Sequence, residues 1–462
     1  MKQKDVTEID IRELSTRVEG HFFDRKSKEI DGKKIQKIAV AFANADGGDF
    51  IVGIKDDKDE SDPQKRWDGA SNMEYYNKIF QNILEIKPNI PYTPTFLFDP
   101  ITRTYTLLIT VEKSEKVHAT ADNTIYIRVS AQSIPLKEAQ KIQELSFAKG
   151  ESSFEDVIYK EARAEDIFDS FEMKRFLNDY SPKSDPIDFT VNQNLVDRNT
   201  YDPKIAGLLL FNDNPVTLLP RKCGIKITRY DTSEITPERI HLKEQFTIEG
   251  SLYEQIHKSS DVISNIMSNV KIWTPKGLES VSYPPETLWE IIVNAVIHRD
   301  YSISDDIHIL IFNNRIEVNS PGRLPGYVTL NNILEARYSR NTKIVRTLNR
   351  YKNPPNKDMG EGLNTAFQKM IDWRLKEPKI VIEGNYVKVI IAHIPLATPE
   401  ETIIEFLAHN PLIRNRQARE LTGIKSENKM KSIFLKLLKE NIIEPVMSRN
   451  GTTKVAWKRK NT

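Results

Sequence analysis

A stripe of polar residues interrupts an otherwise apolar stretch between Glu286 and Arg299. Glu290, Asn294 and His298 recur at intervals of four, so a helix would place them on one face among apolar neighbours. Burying a carboxylate and an amide is costly unless each meets a partner. A Mg²⁺-bound polyphosphate would suit them because Mg²⁺ prefers oxygen ligands. A stripe satisfied by neighbouring backbone or by solvent is the equal alternative.

A second group of charged residues, near the N-terminus, has the residue types of a metal-dependent hydrolase. Asp24 and Lys26 are two residues apart and share a face if they lie on a strand. Glu19 lies five residues earlier, and Asp56 follows the apolar run Phe50–Ile54, which is typical of a buried strand. Three carboxylates and a lysine that meet at strand ends could hold Mg²⁺ or Mn²⁺ and activate water for phosphodiester cleavage. From the pattern alone, solvated surface charges are the favoured interpretation.

Composition limits the classes of protein to consider. The 462 residues carry 67 lysines and arginines against 65 acids, a net charge of +2, which excludes a uniformly basic DNA-coating protein. The single cysteine, Cys223, excludes a disulfide scaffold and a cysteine-based zinc site. Apolar runs fall well below the roughly 18 residues of a membrane helix, and no secretory signal is visible. We therefore expect a cytoplasmic, multi-domain protein that does not associate with membranes.

The charge is unevenly distributed along the chain. Residues 398–462 contain thirteen lysines and arginines and seven acids, a net of +6, which leaves −4 for the rest. Their pattern predicts three helices and a hairpin, and it resembles a winged helix-turn-helix, whose third helix enters the major groove of DNA. A basic protein-docking domain is the alternative. The residues expected to contact DNA are Lys425, Asn428, Lys429, Lys431, Arg449, Lys454 and Lys458.

The stretch Pro285–Glu290, with Asn294 and His298–Tyr301, resembles the N-box helix of the GHKL ATPases, closest to the subgroup of RecG-like helicase-related regulators. The resemblance implies an ATP-binding module in which Asn294 coordinates Mg²⁺ and Glu290 activates water. Ser320 stands where the family usually has an aspartate that binds the adenine amino group, and serine does not supply that charged acceptor. Residues 319–326 and 359–363 resemble the two glycine boxes of the family, with Gly322, Gly326, Gly360 and Gly362 expected near phosphate.

The N-terminal region resembles the Schlafen AlbA_2 domain. The resemblance rests on Ala41–Gly48, Ile51–Asp57 and Tyr126–Arg128. It implies nucleic-acid binding. In Schlafen nucleases an acidic trio cleaves RNA, and its positions fall on Glu19, Asp24 and Asp56. The family usually has Glu-Phe-Lys where this chain has Asp-Arg-Lys at residues 24–26, so the carboxylate there is one methylene shorter.

The sequence thus predicts an α+β multi-domain chain. Its parts are an AlbA_2-like α/β domain (1–148), a connecting α/β unit (149–275), a GHKL-like α/β sandwich (276–397) and a winged helix-turn-helix (398–462). The leading hypothesis is a nucleic-acid-binding, transcriptional regulator whose DNA affinity is modulated by its nucleotide module. The alternative is a metal-dependent endonuclease or endoribonuclease, for example in phage defence. DNA is the expected partner, RNA the second candidate and a homo-oligomer is left open. No P-loop lysine is present, so a helicase is not indicated.

Overall fold

A computed structural model describes residues 2–219, 221–274, 277–280, 283–356, 362–373, 375–392, 399–422, 424, 426–447 and 454–460. The chain divides into two units. The first contains most of residues 1–393, and the second contains the C-terminal segment that follows. The mixed α/β, multi-domain fold predicted from the sequence is confirmed.

The N-terminal part of the first unit is a five-stranded sheet followed by a hairpin and a helix. Its elements are β1 (Lys2–Asp5), α1 (Glu8–Thr16), β2 (Phe23–Lys26), α2 (Gly32–Ala43), β3 (Gly48–Val52), α3 (Asn77–Leu84), β4 (Tyr92–Asp99), β5 (Thr104–Val111), β6 (Ile125–Val129), β7 (Gln132–Leu136) and α4 (Ala139–Lys149). The strand order is β1-β4-β5-β3-β2, with β1–β4 and β2–β3 parallel and the other neighbours antiparallel. Strands β6 and β7 form the separate hairpin.

Helix α2 provides much of the core of this domain. Asp31 caps its N-terminus by accepting a hydrogen bond from the Lys33 backbone N–H at 3.1 Å. Ile35, Ile38, Ala39 and Phe42, whose spacing in the sequence predicts a helix, are all buried. Phe42 stacks on Phe50 of β3 with ring centroids 6.4 Å apart. The helix and the buried strand after it are therefore both confirmed.

Short helices connect this domain to a second sheet. They are α5 (Glu165–Phe168), α6 (Phe171–Tyr180), α7 (Pro186–Asn192), α8 (Ile205–Phe211) and α9 (Pro215–Leu218). Single 3₁₀ turns occur at Pro63–Lys65, Met73–Tyr76, Phe154–Asp156 and Arg239–His241. Helix α8 is apolar and fully buried, as expected of a segment that packs between other elements.

The second sheet has six strands and carries the polar helix. The elements are β8 (Ile225–Tyr230), β9 (Leu242–Ile248), α10 (Leu252–Ser268), β10 (Lys271–Thr274), β11 (Gly277–Ser280), α11 (Pro285–Ile297), β12 (Ile307–Ile311), β13 (Arg315–Pro321), α12 (Thr342–Leu348), α13 (Gly362–Asp372), β14 (Lys379–Glu383) and β15 (Tyr386–Ala392). The strand order is β14-β15-β13-β12-β8-β9, and β10 and β11 form a separate antiparallel pair. The sheet thus takes strands from both sides of the predicted boundary at residue 275.

Among its described residues, the second unit has three helices and two antiparallel strands. They are α14 (Pro399–His409), α15 (Asn415–Thr422), α16 (Glu427–Lys439), β16 (Ile443–Met447) and β17 (Lys454–Arg459). Ser426 caps α16, as the sequence predicts, by accepting a hydrogen bond from the Lys429 backbone N–H at 3.3 Å. The elements match the predicted pattern, and the winged-helix assignment itself stays a prediction.

Phe434 is the buried anchor of this second unit. Its ring is fully buried and stacks on Trp457 with centroids 5.1 Å apart. We expect Phe434→Ala to lower the free energy of unfolding of the unit by about 3–5 kcal/mol, because it removes a buried ring and leaves a cavity. Urea unfolding followed by circular dichroism would measure the loss. Leu435→Ala, at an exposed neighbouring position, is the matched control. Equal small losses in both variants would contradict this account of the core.

Candidate functional site

Lys26 lies between two of the predicted carboxylates of the N-terminal site. Its Nζ is 2.6 Å from Asp24 Oδ1 and 3.0 Å from Glu19 Oε1. Strand β2 brings Asp24 and Lys26 to one face, as their spacing predicts. Burial works to lower the pKa of Lys26, but the two carboxylates outweigh it and raise that pKa above its usual value. The ammonium therefore stays charged.

Arg128 of β6 takes the other oxygen of Asp24. Its Nη1 is 2.8 Å from Asp24 Oδ2, and both side chains are buried. The same guanidinium donates hydrogen bonds to the Gly20 carbonyl and the Phe23 carbonyl. Both oxygens of Asp24 are thus paired with cations.

Asp56 does not join this pair of carboxylates directly. Its Oδ1 accepts hydrogen bonds from the backbone N–H groups of Lys58 and Asp59, at 2.9 and 3.1 Å. Burial opposes the effect, but these bonds and the nearby charge of Lys26 lower the pKa of Asp56. Among the described residues, no group of three His, Cys, Asp or Glu side chains is placed to hold a metal ion. The metal-binding role of Glu19, Asp24 and Asp56 stays a prediction.

Helix α11 presents the polar stripe of the nucleotide module. Asn294 Nδ2 donates hydrogen bonds to the Glu290 carbonyl at 2.8 Å and to Glu290 Oε1 at 2.7 Å. Burial raises the pKa of Glu290, and the bond from Asn294 opposes that rise. The amide oxygen of Asn294 takes part in neither bond. The two half-buried side chains therefore offer oxygen atoms that suit Mg²⁺.

Gly362 brings the second glycine box against this stripe. It begins α13, and a Cβ built there would overlap the Glu290 carboxylate. Thr287 of α11 also donates a hydrogen bond to the Ala366 carbonyl of α13 at 2.9 Å. The N-box helix and the helix after the second box are thus held face to face. Gly360 lies outside the described residues.

His298, the third residue of the predicted stripe, differs from the other two. It is the C-cap of α11, and its Nδ1 is buried without a hydrogen-bond partner among the described residues. Burial, assisted by the charge of Arg340, lowers the pKa of His298 to about 4. The imidazole is therefore neutral at pH 7. The Ser320 hydroxyl donates a hydrogen bond to the Ala295 carbonyl of the same helix at 2.7 Å.

In the first glycine box, Gly322 and Gly326 both contact other segments of this chain. Gly322 has φ +116°, its N–H donates to the Asn385 carbonyl at 2.7 Å, and a Cβ would come within 2.6 Å of Arg340 Nη1. Gly326 donates its N–H to the Lys149 carbonyl at 2.9 Å, and a Cβ would come within 2.8 Å of the Tyr338 ring. Glycine is required here for close packing. The contact with phosphate implied by the resemblance stays a prediction.

Buried Arg340, which the sequence analysis does not single out, contacts three of these segments. Arg340 Nη1 is 3.2 Å from Asp300 Oδ2, just after α11. Its Nη2 donates to the Arg323 carbonyl at 2.7 Å and to the Ala148 carbonyl of α4 at 3.2 Å. One guanidinium thus contacts the N-box segment, the first glycine box and the last helix of the N-terminal domain.

Asp46 makes a second connection between the N-terminal domain and the first glycine box. Its Oδ2 is 2.9 Å from His21 Nε2 and 2.7 Å from Arg323 Nη2, and its Oδ1 is 3.6 Å from Lys113 Nζ. Burial acts against it, but the His21 bond and the charges of Arg323 and Lys113 lower the pKa of Asp46 to about 2. Lys113 Nζ also donates to the Leu324 carbonyl at 2.6 Å. Arg323 belongs to the first glycine box and Asp46 to the Ala41–Gly48 stretch, but neither motif indicates that the two residues pair.

The predicted DNA-contacting residues lie on or near α16 and the hairpin. Asn428 and Lys429 are exposed near the start of α16. Lys431 pairs with Glu427 at 2.8 Å, and Lys458 pairs with Glu444 at 2.8 Å; all four side chains are exposed. Exposed pairs of this kind contribute at most about 1 kcal/mol, so an external anion can compete for them. Lys425, Arg449 and the side chain of Lys454 lie outside the described residues.

Comparisons with known families agree with two of the domains. Residues 19–137 match the family described as "Schlafen, AlbA_2", and residues 304–391 match "Putative ATP-dependent DNA helicase recG C-terminal". The chain therefore contains a Schlafen AlbA_2 domain and a RecG-related ATPase-like domain, as the sequence predicts, and these are domains of nucleic-acid-associated proteins. Helix α11 precedes the second matched range.

Other comparisons add little. No curated protein matches the chain. Among solved structures, the crystal structure of the DIP2311 protein from Corynebacterium diphtheriae is 16% identical, with a TM-score of 0.42, and the match covers 97% of this chain and 82% of that one. So low a likeness bears on neither fold nor function. Among the described residues, no helix is long and apolar enough to span a membrane.

Lys149 gives a test of how α4 packs against α2 within the N-terminal domain. Its Nζ is buried and donates to the Ala43 carbonyl at 2.8 Å, and burial lowers the pKa of Lys149 to about 7. The unfolded chain keeps a lysine protonated to about pH 10, so between these values the unfolded state binds more protons. The contribution of this lysine to the free energy of unfolding must then rise with pH by about 1 kcal/mol per unit.

The measurement is chemical unfolding of wild type and Lys149→Met at several pH values from 7 to 9.5. We expect the difference in unfolding free energy, wild type minus variant, to increase with pH. Lys137→Met, at an exposed position just before α4, is the control and should give a difference independent of pH. A constant difference for Lys149→Met would contradict a buried Lys149 amine with a lowered pKa.

Proposed function

We propose that this protein is a nucleic-acid-binding regulator, acting on transcription in the cytoplasm, whose C-terminal unit contacts duplex DNA and whose RecG-related module binds a nucleotide. The observation that carries the proposal is the presence of two domains of nucleic-acid-associated families in one chain that also has a basic C-terminal segment. A nucleotide then alters DNA affinity only if it binds the DNA-competent arrangement with a different affinity from the others.

The start of α16 is the surface we propose for DNA contact. Lys429 and Asn428 are exposed there, and the helix begins at a serine cap whose neighbouring backbone N–H groups favour an anion. Buried Met430, Ile433 and Phe434 fix the opposite face of the helix in the core. A rigid helix with a polar leading end is suited to the major groove.

Lys429→Ala should weaken binding to duplex DNA and reduce the slope of log affinity against log salt by about 1, because one phosphate contact is lost. Fluorescence anisotropy with a labelled duplex at several salt concentrations would measure both. Lys439→Ala removes the same charge from the far end of the same helix and is the matched control. Equal effects in the two variants would point to nonspecific electrostatics, and no effect in either would remove α16 from the interface.

The nucleotide module is proposed to bind ATP with Mg²⁺ through helix α11. The half-buried Glu290 and Asn294 fit the ion by chemistry, and Gly362 allows the second box to approach them. Magnesium would supply charge neutralisation for the phosphates. The contribution of this chain is to hold the Asn294 amide by its two bonds to Glu290, with the oxygen available.

Calorimetric titration with ATP and Mg²⁺ should give a saturable signal for wild type that falls at least about ten-fold in affinity in Asn294→Ala, because a metal ligand is removed. Asn199→Ala, in an exposed turn of the connecting region, should bind as wild type does. A flat wild-type titration would remove nucleotide binding from the proposal.

Cleavage is not part of the proposal because both oxygens of Asp24 are paired with cations. Hydrolysis of DNA or RNA in Mg²⁺ or Mn²⁺ that disappears in Asp24→Ala would instead support the Schlafen-type nuclease. Asp24→Asn, which keeps the side-chain size, would separate loss of chemistry from loss of folding.

A further inference from the structure

We propose that Phe22 is a platform on which an unpaired base of a single-stranded nucleic acid stacks. The inference rests on the nucleic-acid binding proposed above, and it names a site and a ligand class for the N-terminal domain. The platform belongs to the loop 17–22, between α1 and β2, directly beside the Glu19–Lys26–Asp24 ion pairs.

The first observation is exposure. The side chain of Phe22 is 56% exposed and that of Val18 is 83% exposed, although Phe23, the next residue, is buried in the sheet. Leaving a phenylalanine ring in water forgoes the stabilisation that burial would give. Nothing in the packing of the described residues requires the ring at this position.

The second observation is that the loop is held rigidly by buried groups. Buried Arg128 donates to the Gly20 carbonyl at 2.8 and 3.1 Å, and buried Arg25 donates to the Arg17 carbonyl at 2.6 Å. Backbone bonds from Gly20 N–H to the Phe23 carbonyl and from Asp49 N–H to the Phe22 carbonyl, both 2.9 Å, complete the frame. Two buried arginines therefore fix a loop that displays an apolar ring, which lowers the entropic cost of binding to it.

The orientation of the ring is also set. The His21 ring meets the Phe22 ring edge-on, with centroids 4.8 Å apart and planes at 85°, and His21 is itself bonded to Asp46. An edge contact holds Phe22 without covering both of its faces. A free aromatic face accepts any base by stacking, which is the way single strands are bound without regard to sequence.

One exposed cation near Phe22, Arg17, can contact a sugar-phosphate chain. The Arg17 guanidinium lies 4.3 Å from the centroid of the Phe23 ring, its side chain is 43% exposed, and its nearest carboxylate, Asp49, is 3.9 Å away. It can thus meet a phosphate next to a stacked base. Duplex DNA offers no such base, because each base is already stacked within the helix. The proposed ligand is therefore a single-stranded nucleic acid.

The test compares the full-length wild type with Phe22→Ala, Phe22→Leu and Phe22→Trp. Each protein is titrated with single-stranded DNA, single-stranded RNA and duplex DNA of equal length, all carrying 2-aminopurine, and fluorescence and affinity are followed. We expect wild type and Phe22→Trp to quench 2-aminopurine in the single strands. Phe22→Ala and Phe22→Leu should lose that quenching and about ten-fold in single-strand affinity, since one stacked base is lost. Duplex affinity should not change, and the two single-stranded arms distinguish DNA from RNA.

Phe171→Ala, at a phenylalanine of α6 that is 69% exposed, is the control and should bind as wild type does. Unchanged single-strand binding in Phe22→Ala would overturn the inference and would leave a protein partner as the occupant of this surface. A wild type that binds duplex through Lys429 but no single strand would overturn the inference alone. A wild type that binds neither would overturn the proposed function with it.

Discussion

The arrangement of the first unit depends on the contacts that the Arg340 guanidinium makes with three separate segments of the chain. It is almost completely buried, and its charge is met by Asp300 and by two backbone carbonyls that belong to different parts of the chain. Burial lowers the pKa of Arg340, and Asp300 offsets part of that effect. A buried cation that loses its partners costs several kcal/mol. The N-box segment, the first glycine box and helix α4 must therefore keep one mutual arrangement for the charge to remain paired.

This constraint makes the first glycine box a shared element of the two domains. Arg323 reaches Asp46, and the carbonyls of Leu324 and Val328 accept from Lys113, so the loop that the resemblance assigns to the nucleotide is also bound to the AlbA_2 domain. A ligand that displaced this loop would have to break these partly buried ionic and hydrogen-bonded contacts. By thermodynamic linkage, binding of such a ligand would change the free energy of the contact between the two domains.

Local sequence pattern predicted much of this fold, and long-range pairing explains what it missed. Helices α2 and α11 follow from apolar spacing, and the strand position of Asp24 and Lys26 follows from their two-residue interval. Arg128 lies 104 residues from Asp24, and Arg323 lies 277 residues from Asp46. No periodicity links such positions, because only the folded sheets bring them together. The sequence therefore indicates the carboxylates but not the cations that pair with them.

Those partners also change what the N-terminal site can attract. Glu19 and Asp24 are balanced by Lys26 and Arg128, so the cluster has little net charge with which to draw a cation or a phosphate. Affinity for a polyanion at this edge must then come from contact area and stacking more than from long-range attraction. The net charge of +6 in residues 398–462 is where electrostatic capture of nucleic acid can arise. The overall charge of +2 therefore averages a charge-balanced N-terminal cluster, Glu19, Asp24, Lys26 and Arg128, with a basic C-terminal segment.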